Sequence, residues 1–592
     1  MAPFNEMDDH RTPLSTRRLI LVMLVIGSAF YCVYTLWVNQ HYPDYQSSWM
    51  ANDQSKPFNY TWKIKPWTFE YTTLTLDPRL PTPPGDLGVP LPKNYSDDRI
   101  NKLIDDGMRT QGFNQYNSDM ISVRRRLPDL RHRWCEAKQE LLSDLPSTSV
   151  VIVFYNEAWS VLVRTVHSVL DRSPPSLVQE IILVDDCSYL PHTKTQLDDY
   201  FRPYPKIRIL RSSERLGLMR ARLLGARNAS AETVTHLDAH VEVNIGWLEA
   251  LMDRIARNPS TIAIPMMDWI EPLIFSVTSQ NSLGLYGGYD WDLDFAWKPR
   301  SGRFVQPENP FEPFETPAMV GGLFSIRKDF FAKLGWYDEG FKVYGIENIE
   351  LSMKSWMCGG RMEIVPCSRV GHVAKYGHPY LREEKTNVVR DNSLRLAEVW
   401  MDEYKQIVFD NYGVPGYNET ELGEVADRKK LRNDLQCSSF KDYIRNVYPE
   451  LKLPLEGRFH GEMKNKALGN NTCMEFDRAR LKLQMTVCDH RRQGQYWAYN
   501  NYYEINSYGS CLDFTGYLLG MYNCHKSYGN QKFEYLPNTG QIMSATHGQC
   551  LALSYGGNQS IPIMEPCNAT SIFQIWYTEP NDVDLDPFGK KD

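Results

Sequence analysis

The sequence predicts two folded domains behind one membrane-spanning segment: an α/β domain built on a parallel sheet, then an all-β domain. Three observations predict this: a long uncharged run near the N-terminus, alternating strand and helix patterns, and a threefold repeat near the C-terminus. At 592 residues the chain is too long for a single hydrophobic core. Its net charge of −7 is not the basic surplus typical of nucleic-acid-binding proteins, so we expect no nucleic-acid partner.

The N-terminal apolar run predicts a membrane anchor. Leu19 to Val38 is uncharged over about 20 residues, enough for a helix to span a bilayer. Basic residues precede the run, and none follows until Lys56. The positive-inside rule therefore predicts a cytoplasmic tail over residues 1–18, a span over 19–38 and a lumenal remainder. A buried core helix is disfavoured because the run has no amphipathic period.

Residues 39–110 predict an extended stem, and the lumenal part should contain disulfides. The segment RLPTPPGDLGVPLPKN has five prolines, which disfavours a helix or a sheet ladder.

Cys32 lies in the apolar run, which leaves eleven of the twelve cysteines on the lumenal side. Because eleven is odd, one thiol should stay free, and Cys187 is the candidate.

Apolar strand-like runs alternate with helical patterns between residues 149 and 243. The runs are SVVIVFY, EIILVDD, KIRILR and VTHLDAHVEV, and the helical stretches are 157–171 and 216–228. This alternation is typical of a parallel sheet covered on both faces. Ligands bind such sheets beyond the carboxyl ends of the strands, where Asp186 and Asp238 lie. Neither G-x-G-x-x-G nor a P-loop follows the first strand, which disfavours a dinucleotide-dependent enzyme or a P-loop kinase.

Asp238 and His240, at the end of one apolar run, predict a divalent metal site. Carboxylate plus imidazole suits manganese better than magnesium, and His372 is the best candidate for a third ligand. A non-haem iron triad uses the same ligand types, but the parallel α/β pattern disfavours it; a strand-end pair that only caps a loop is the plainer alternative. The pair Glu347-Asn348 has two equally good interpretations. Glu347 could be an acidic residue that faces a sugar, or the pair could begin a helix, where negative charge is favourable.

The chain from about residue 457 is rich in Tyr, Asn, Gln and Gly and repeats three times. Each repeat has two cysteines followed by a Gln-x-aromatic triplet: Gln495-Tyr496-Trp497, Gln531-Lys532-Phe533 and Gln574-Ile575-Trp576. A period of about 40 residues predicts three small β units that close on one another. The expected fold is a β-trefoil, and the Q-x-W spacing resembles that of ricin-type lectins.

These parts together resemble the polypeptide N-acetylgalactosaminyltransferases of the Golgi, which are retaining enzymes of the GT-A fold. The resemblance runs from about Gly112 to Trp576 in ordered blocks that include VFYNEAWSVLVRTVHSVLDRSPP, EIILVDD, RLGLMRARLLGA, LDAH, GGYDWDLDFAW, AMVGGLFSIRKDFF and SWMCGGRMEIVPCSRVGH. It implies a Rossmann-like GT-A catalytic domain over residues 111–455 and a ricin-type β-trefoil lectin domain over residues 456–582.

The resemblance also implies a function and a role for each matching residue. The reaction would transfer GalNAc from UDP-GalNAc to Ser or Thr hydroxyls of polypeptides or GalNAc-glycopeptides, in a single-pass type II protein of the Golgi membrane. The Mn2+ ligands would be Asp238, His240 and His372. The catalytic pair would be Glu347 and Asn348, and the substrate-binding residues Asp186, Arg215, Gly322, Tyr344, Lys375, Tyr380 and Trp291. The implied disulfides are Cys135–Cys367, Cys358–Cys437, Cys473–Cys488, Cys511–Cys524 and Cys550–Cys567.

Several positions depart from the family pattern. The sequence Tyr-Gly-Ile-Glu at 344–347 stands where the family usually has Trp-Gly-Gly-Glu, and Ile346 replaces a glycine that tolerates positive φ. Ala374 and Lys375 replace Phe and Arg, and a lysine loses the planar fork that grips phosphate. The alternative function is therefore a catalytically weak or inactive Golgi lectin or peptide-binding homologue. A transferase of a different sugar is a third function that the GT-A architecture allows.

The middle repeat alone keeps the Cys-Leu-Asp start of a sugar-binding repeat of this family. Asp513 holds the aspartate position there, whereas the first repeat has Glu475 and the third has Ala552. An alanine cannot accept a hydrogen bond from a sugar hydroxyl. We therefore expect one sugar site, formed by Asp513 and Asn530.

Overall fold

The computed structural model describes residues 82–580, except residues 138–139, 280–281, 305–308, 378–387, 415–421, 452–458, 490–491, 501, 508 and 555–559. The predicted tail (1–18), the predicted span (19–38) and Tyr380 lie outside the described residues. Among the helices that are described, none is both long and apolar enough to cross a membrane.

A ten-stranded mixed sheet organises the first domain. The strands of this domain are β1 (Thr148–Phe154), β2 (Val178–Asp185), β3 (Ile207–Arg211), β4 (Thr233–Asp238), β5 (Val241–Val243), β6 (Thr261–Ile270), β7 (Val277–Thr278), β8 (Leu285–Tyr289), β9 (Phe295–Pro299), β10 (Phe314–Glu315), β11 (Phe324–Arg327) and β12 (Arg361–Val373). The strand order is β10-β12-β6-β11-β4-β1-β2-β3, with β5 beside β12 and β7 beside β6, while β8 and β9 form a separate hairpin.

The prediction of a parallel sheet is correct for β1 to β4, and β6 and β12 are also parallel to each other, but the sheet as a whole is mixed. β1 pairs in parallel with β2 and β4, and β2 with β3. β11, however, lies between β4 and β6 and runs antiparallel to both. The strand predicted over residues 234–243 is in fact two strands, because the chain turns at Ala239 and His240 and β5 then pairs with β12.

Helices of the first domain cover both faces of this sheet, and further helices pack on those. They are α1 (Asp98–Thr110), α2 (Gln115–Met120), α3 (Arg133–Ala137), α4 (Trp159–Arg172), α5 (Thr195–Phe201), α6 (Leu218–Asn228), α7 (Trp247–Arg257), α8 (Lys328–Lys333), α9 (Glu347–Met357), α10 (Val388–Trp400), α11 (Lys405–Asn411), α12 (Ala426–Asp434) and α13 (Phe440–Asn446). Successive residues of β1 point to opposite faces, so Val151 belongs to one apolar core while Val150 and Ile152 belong to the other.

Residues 82–110 fold onto the first domain, so the prediction of an extended stem up to residue 110 is wrong for this part. Leu91 is buried, and its N–H donates to the carbonyl of Ile274 at 2.8 Å. Asp97 then caps α1 by accepting a hydrogen bond from the N–H of Arg99 at 2.8 Å. The described part of the proline-rich segment, residues 82–94, contains no α-helix, as predicted. The burial of Leu91, however, could not be predicted from composition.

A buried ionic cluster ties this N-terminal part to the sheet. Glu242 on β5 contacts the guanidinium of Arg125 at 2.8 Å and that of Arg164 at 3.1 Å, and all three side chains are almost completely buried. Burial would raise the pKa of Glu242, but the two guanidinium groups hold it below its usual value. Arg125 also donates to the carbonyl oxygens of Gly85 and Phe275, each at 3.0 Å.

The second domain consists of antiparallel strands in two sheets, as the trefoil prediction requires. Its strands are β13 (Phe459–Asn465), β14 (Thr472–Asp477), β15 (Lys482–Val487), β16 (Tyr496–Tyr499), β17 (Ile505–Ser507), β18 (Ser510–Phe514), β19 (Leu519–Asn523), β20 (Phe533–Leu536), β21 (Gln541–Ser544), β22 (Gln549–Leu553), β23 (Pro562–Pro566) and β24 (Trp576–Pro580). Trp497 and Trp576 are fully buried, and each indole N–H donates to a backbone carbonyl at 2.8 Å.

The glutamine of each Gln-x-aromatic triplet closes its own repeat. In each repeat the side-chain amide donates to a carbonyl just before the second cysteine, while its oxygen accepts from an N–H just after it. Gln495, Gln531 and Gln574 are all buried. These residues therefore belong to the trefoil framework.

The structure contains the five disulfides that the resemblance implied, namely Cys135–Cys367, Cys358–Cys437, Cys473–Cys488, Cys511–Cys524 and Cys550–Cys567. Within the described residues Cys187 is the free cysteine, in agreement with the prediction from the odd cysteine count.

We expect Glu242→Gln to lower the free energy of unfolding by about 3–5 kcal/mol, because two buried guanidinium groups lose their counter-charge. The thermal unfolding midpoint of the lumenal fragment measures this loss. Asp106→Asn, which removes one partner of an exposed ion pair with Arg109, is the control and should leave the midpoint unchanged. Equal midpoints for Glu242→Gln and the parent would contradict the assigned role of the cluster.

Candidate active site

A cavity of about 400 Å³ lies at the carboxyl ends of β1 and β4. Nine of the predicted site residues line it: Asp186, Arg215, Asp238, His240, Gly322, Tyr344, Glu347, His372 and Lys375. The chain brings them together from six separate segments, as expected for a ligand site beyond the strand ends of an α/β sheet.

Three of these side chains form a potential metal site. One ligand atom from each of Asp238, His240 and His372 lies within 4.8 Å of the others. His372 joins the pair because β12 runs beside β5, with His372 opposite Val241. Two imidazoles and one carboxylate are ligands that suit a first-row transition metal such as manganese.

The charge of Asp238 is favoured by its neighbours. Burial would raise the pKa of Asp238, but a hydrogen bond from His372, at 3.2 Å, and the positive charge of Arg222 hold it well below its usual range. The carboxylate is therefore ionised at neutral pH, as a metal ligand must be.

Glu157 supports the metal-site histidine, and the sequence reasoning missed it. Its Oε2 lies 3.0 Å from Nδ1 of His240, and Nζ of Lys375 lies 2.9 Å from the same oxygen. Burial would raise the pKa of Glu157, but Lys375 and His240 lower it to about 2. Because an ionised carboxylate only accepts hydrogen bonds, it fixes the proton of His240 on Nδ1 and leaves Nε2 free to bind a metal. Its place at the start of the predicted helix 157–171, in the block VFYNEA, was the available signal.

Arg222 is the second residue that the sequence reasoning missed, although it lies within the quoted block RLGLMRARLLGA. Its guanidinium is almost fully buried and lies 3.3 Å from both Asp238 and Glu347. Burial would lower the pKa of Arg222, but Tyr337, Asp238 and Glu347 raise it overall. It is therefore a fixed positive charge between the metal site and the predicted catalytic acid.

Glu347 combines the two roles that the sequence left open. It is the first residue of α9 and also lines the cavity. Burial raises its pKa, which the charge of Arg222 opposes. Its Oε2 accepts a hydrogen bond from the N–H of Gly345 at 3.1 Å.

The loop before Glu347 is held in a strained conformation. Ile346 has a φ of 72°, in the left-handed region that β-branched residues avoid, as its replacement of a glycine suggested. The buried side chain of Asn392 stabilises this loop: it accepts from the N–H of Lys342 at 2.8 Å and donates to the carbonyl oxygen of Gly345 at 3.0 Å.

Gly322 allows the backbone to pass close to the metal site. A Cβ atom at this position would lie 2.2 Å from Oδ2 of Asp238. At the preceding Gly321, whose φ is 104°, a Cβ atom would lie 2.7 Å from the Cβ of Asn348. Larger residues at either position would therefore displace the cavity wall.

Asp186 and Arg215 form the far wall of the cavity. The buried carboxylate of Asp186 accepts hydrogen bonds from the N–H groups of Leu216, at 2.6 Å, and Gly217, at 3.0 Å, and it pairs with Arg215. The guanidinium of Arg215 also lies 3.8 Å from the ring centroid of Tyr155. Aromatic packing and the ion pair together orient this cation.

Two predicted site residues do not line the cavity. The side-chain amide of Asn348 donates to the carbonyl of Met319 at 3.0 Å. Trp291 is buried and stacks on Tyr404 with a ring-centroid distance of 6.0 Å. The role of Trp291 toward an acceptor stays a prediction, and Tyr380 falls outside the described residues.

The predicted lectin pair is assembled in the middle repeat. Oδ1 of Asp513 accepts from the amide of Asn530 at 2.6 Å, and Oδ2 accepts from the amide of Gln531 at 3.0 Å. In the first repeat Glu475 instead contacts Thr486 and Arg492, and in the third Ala552 is buried.

Comparisons with known proteins agree with this architecture. Residues 149–335 match the model "Glycosyl transferase family 2", residues 459–576 match "Ricin-type beta-trefoil lectin domain", and residues 303–379 match "N-terminal domain of galactosyltransferase". The crystal structure of GalNAc-T7 with UDP, GalNAc and Mn2+ is similar, with a TM-score of 0.67 and 29% identity, over 87% of this chain and 99% of that chain.

Curated relatives extend over most of the chain. A putative polypeptide N-acetylgalactosaminyltransferase 9 of Drosophila melanogaster is 47% identical, covering 84% of this chain and 77% of the relative. The human polypeptide N-acetylgalactosaminyltransferase 10 is 38% identical, covering 86% of this chain and 85% of the relative. The fold is that of a glycosyltransferase joined to a ricin-type lectin domain. The chain belongs to the polypeptide N-acetylgalactosaminyltransferase family.

We expect Glu157→Ala to weaken Mn2+ binding by about 10- to 100-fold, because His240 loses the group that orients it. Isothermal titration of the lumenal fragment with Mn2+ measures the affinity. Glu339→Ala, which removes an exposed carboxylate paired with Arg227, is the control. An unchanged Mn2+ affinity in a folded Glu157→Ala protein would contradict the assigned role.

Proposed function

We propose that this chain transfers GalNAc from UDP-GalNAc to Ser and Thr hydroxyls of polypeptides, with retention of the anomeric configuration, and so initiates mucin-type O-glycosylation. The observation that carries the proposal is the convergence, in one cavity, of the Asp238–His240–His372 cluster with Arg222 and Glu347. Membership of the family supplies the donor and acceptor classes.

Asp238, His240 and His372 would hold Mn2+. When bound, this ion supplies positive charge that stabilises a departing diphosphate. Glu157 and Arg222 surround the ligands with one fixed negative and one fixed positive charge, so the ligand carboxylate stays ionised and the ligand imidazole keeps its orientation.

The remaining residues bind and orient the two substrates. Arg215, held by Asp186 and Tyr155, lines the cavity and presents a cation to the nucleotide-sugar. The acceptor hydroxyl approaches the sugar on the face from which UDP leaves, so the departing phosphate oxygen takes the hydroxyl proton. Glu347 then acts electrostatically, because its carboxylate stabilises the positive charge that develops at the anomeric carbon.

A catalytically weak homologue is the second candidate function, and one contact favours it. Lys375 stands where the family has an arginine, and its ammonium is committed to Glu157 at 2.9 and 3.1 Å. A lysine held in this ion pair binds a phosphate less strongly than a planar guanidinium does. Measured turnover of the parent protein on a Thr-rich peptide panel with UDP-GalNAc and Mn2+ distinguishes the two candidates.

The predicted domain plan and location complete the proposal. Residues 19–38 would anchor the chain in the Golgi membrane as a type II protein, with residues 1–18 cytoplasmic and a stem that starts at residue 39. The catalytic domain (111–455) and lectin domain (456–582) would then lie in the lumen, where sugar nucleotide and secretory polypeptides meet. The disulfides of both domains fit an oxidising compartment.

We expect His372→Ala to abolish peptide transfer and Glu347→Gln to slow it strongly, for different reasons. His372→Ala removes a metal ligand and should lose Mn2+ binding as well as transfer. Glu347→Gln removes the charge near the anomeric carbon and should lower kcat by about 100-fold or more while Mn2+ binding stays intact. Transfer assays paired with Mn2+ titration measure both effects. Full transfer by folded His372→Ala protein in the presence of chelator would contradict the metal assignment.

We expect Asp513→Ala to abolish GalNAc binding, because removal of the main acceptor leaves the sugar-binding groups unpaired. Glu475→Ala, at the matching position of the first repeat, should leave binding intact. Calorimetric titration of the lumenal fragment with GalNAc measures both. Transfer to peptides bearing a distant GalNAc should fall with Asp513→Ala, whereas transfer to bare peptides should not. Equal GalNAc binding by both variants would contradict the single-site prediction.

A further inference from the structure

The lectin domain contacts the catalytic domain through an ion pair from the repeat that carries the predicted sugar site. Nζ of Lys526 contacts Oδ2 of Asp292 and lies 3.3 Å from Oδ2 of Asp294. Both aspartates lie in the turn between β8 and β9 of the catalytic domain. The side chain of Asp292 is about nine-tenths buried, so this ion pair is shielded from solvent on one side.

Neighbouring groups keep the ammonium of Lys526 charged. Burial would lower the pKa of Lys526, but Asp292 raises it overall, so the ammonium stays charged. Tyr502 of the lectin domain lies beneath the ammonium, with a ring-centroid distance of 5.7 Å. Asp294 retains a partly exposed carboxylate beside the pair, which makes the contact sensitive to ionic strength.

A second contact joins the catalytic domain to Tyr496, in the first lectin repeat, and to Asn506, on β17. The buried Asp410 at the end of α11 accepts from the phenol of Tyr496 at 2.9 Å, and its backbone carbonyl accepts from the amide of Asn506 at 3.0 Å. One contact alone would act as a pivot. The Lys526 ion pair, on the loop that follows Cys524, supplies a second point that prevents rotation about it.

The loop that carries Lys526 also carries the sugar-site residues. It runs from Cys524, whose disulfide pins one end, to Asn530, whose amide donates to Asp513 at 2.6 Å. Its backbone is anchored where the N–H of Lys526 donates to the buried carboxylate of Glu504 at 2.7 Å. A loop held at both ends and in the middle transmits the position of the ion pair to the sugar site.

We propose that Lys526 is a positioning residue: its ion pair with the β8–β9 turn holds the middle lectin repeat at a fixed distance and direction from the catalytic cavity. The enzyme then selects acceptor glycopeptides by the number of residues between an existing GalNAc, bound at Asp513, and the Ser or Thr that is glycosylated. This inference rests on the proposed function, since the spacing selection requires transfer.

The positioning role of Lys526 is tested by a measurement that does not require turnover. The distance distribution between one probe on each domain is measured for the lumenal fragment, for Lys526→Met, and for the control Lys532→Met. Lys532 lies in the same repeat with a similar side-chain exposure (33% against 36%) and pairs only weakly within the lectin domain, 3.7 Å from Glu534. Lys526→Met should broaden the distribution, and Lys532→Met should not. An unchanged distribution for Lys526→Met overturns the proposal, whatever the activity of the parent.

The effect of Lys526 on acceptor selection is tested with peptides in which the spacing between GalNAc and Thr varies. The parent and Lys532→Met should show a rate maximum at one spacing. Lys526→Met should lower kcat/KM at that maximum by about tenfold through a higher KM, because the effective concentration of the tethered acceptor falls. Its transfer to bare peptide and its affinity for GalNAc should match those of the parent.

The double variant Lys526→Asp with Asp292→Lys restores the pair with reversed charges and should recover the spacing maximum. A spacing profile that Lys526→Met leaves intact overturns the proposal, as does a loss of GalNAc affinity in that variant, which would place Lys526 in the sugar site. A parent that transfers to no peptide overturns the proposed function instead, and the distance distribution then decides the positioning role.

Discussion

The cavity depends on one buried cation. Arg222 lies between Asp238 and Glu347, two carboxylates that a low-dielectric site would otherwise force apart or protonate. With the guanidinium in place, both carboxylates line one cavity, as the proposed roles of Asp238 toward a metal and of Glu347 toward a sugar require. α6, which carries Arg222, is packed against the sheet through its apolar residues, so the helix supplies both the core contact and the charge.

The sheet topology explains why residues far apart in sequence meet. His372 lies 134 residues after Asp238, and the two meet because β12 pairs with β5 directly after the turn that presents His240. The antiparallel β11 brings Gly322 to the opposite side of Asp238, where only a glycine leaves room. The departure from a parallel sheet is therefore what closes the cavity around the proposed metal ligands.

The sequence predicted the strands between residues 149 and 243, the trefoil and nine residues of the cavity lining because these features leave local patterns: apolar runs, repeat spacing and ordered blocks. Glu157 and Arg222 also lie in such blocks, but nothing in the local pattern marks either of them as a site residue. Each is a charged residue beside or within a helical stretch, where a solvated surface position is the ordinary expectation, and only tertiary contacts give it a role. The packing of residues 82–110 could not be predicted for the same reason. A proline-rich composition indicates local stiffness, but it does not indicate which surface the segment covers.

The glutamine closure of the three lectin repeats has a consequence for how this domain changes over generations. Gln495, Gln531 and Gln574 hold each repeat through backbone atoms, and they do so even in the third repeat, where Ala552 at the predicted sugar-contacting position offers no side-chain acceptor. Glutamate, aspartate and alanine occupy that position in the three repeats of one folded domain. We therefore expect that substitutions at this position can remove or restore sugar binding in one repeat at a time without destabilising the fold.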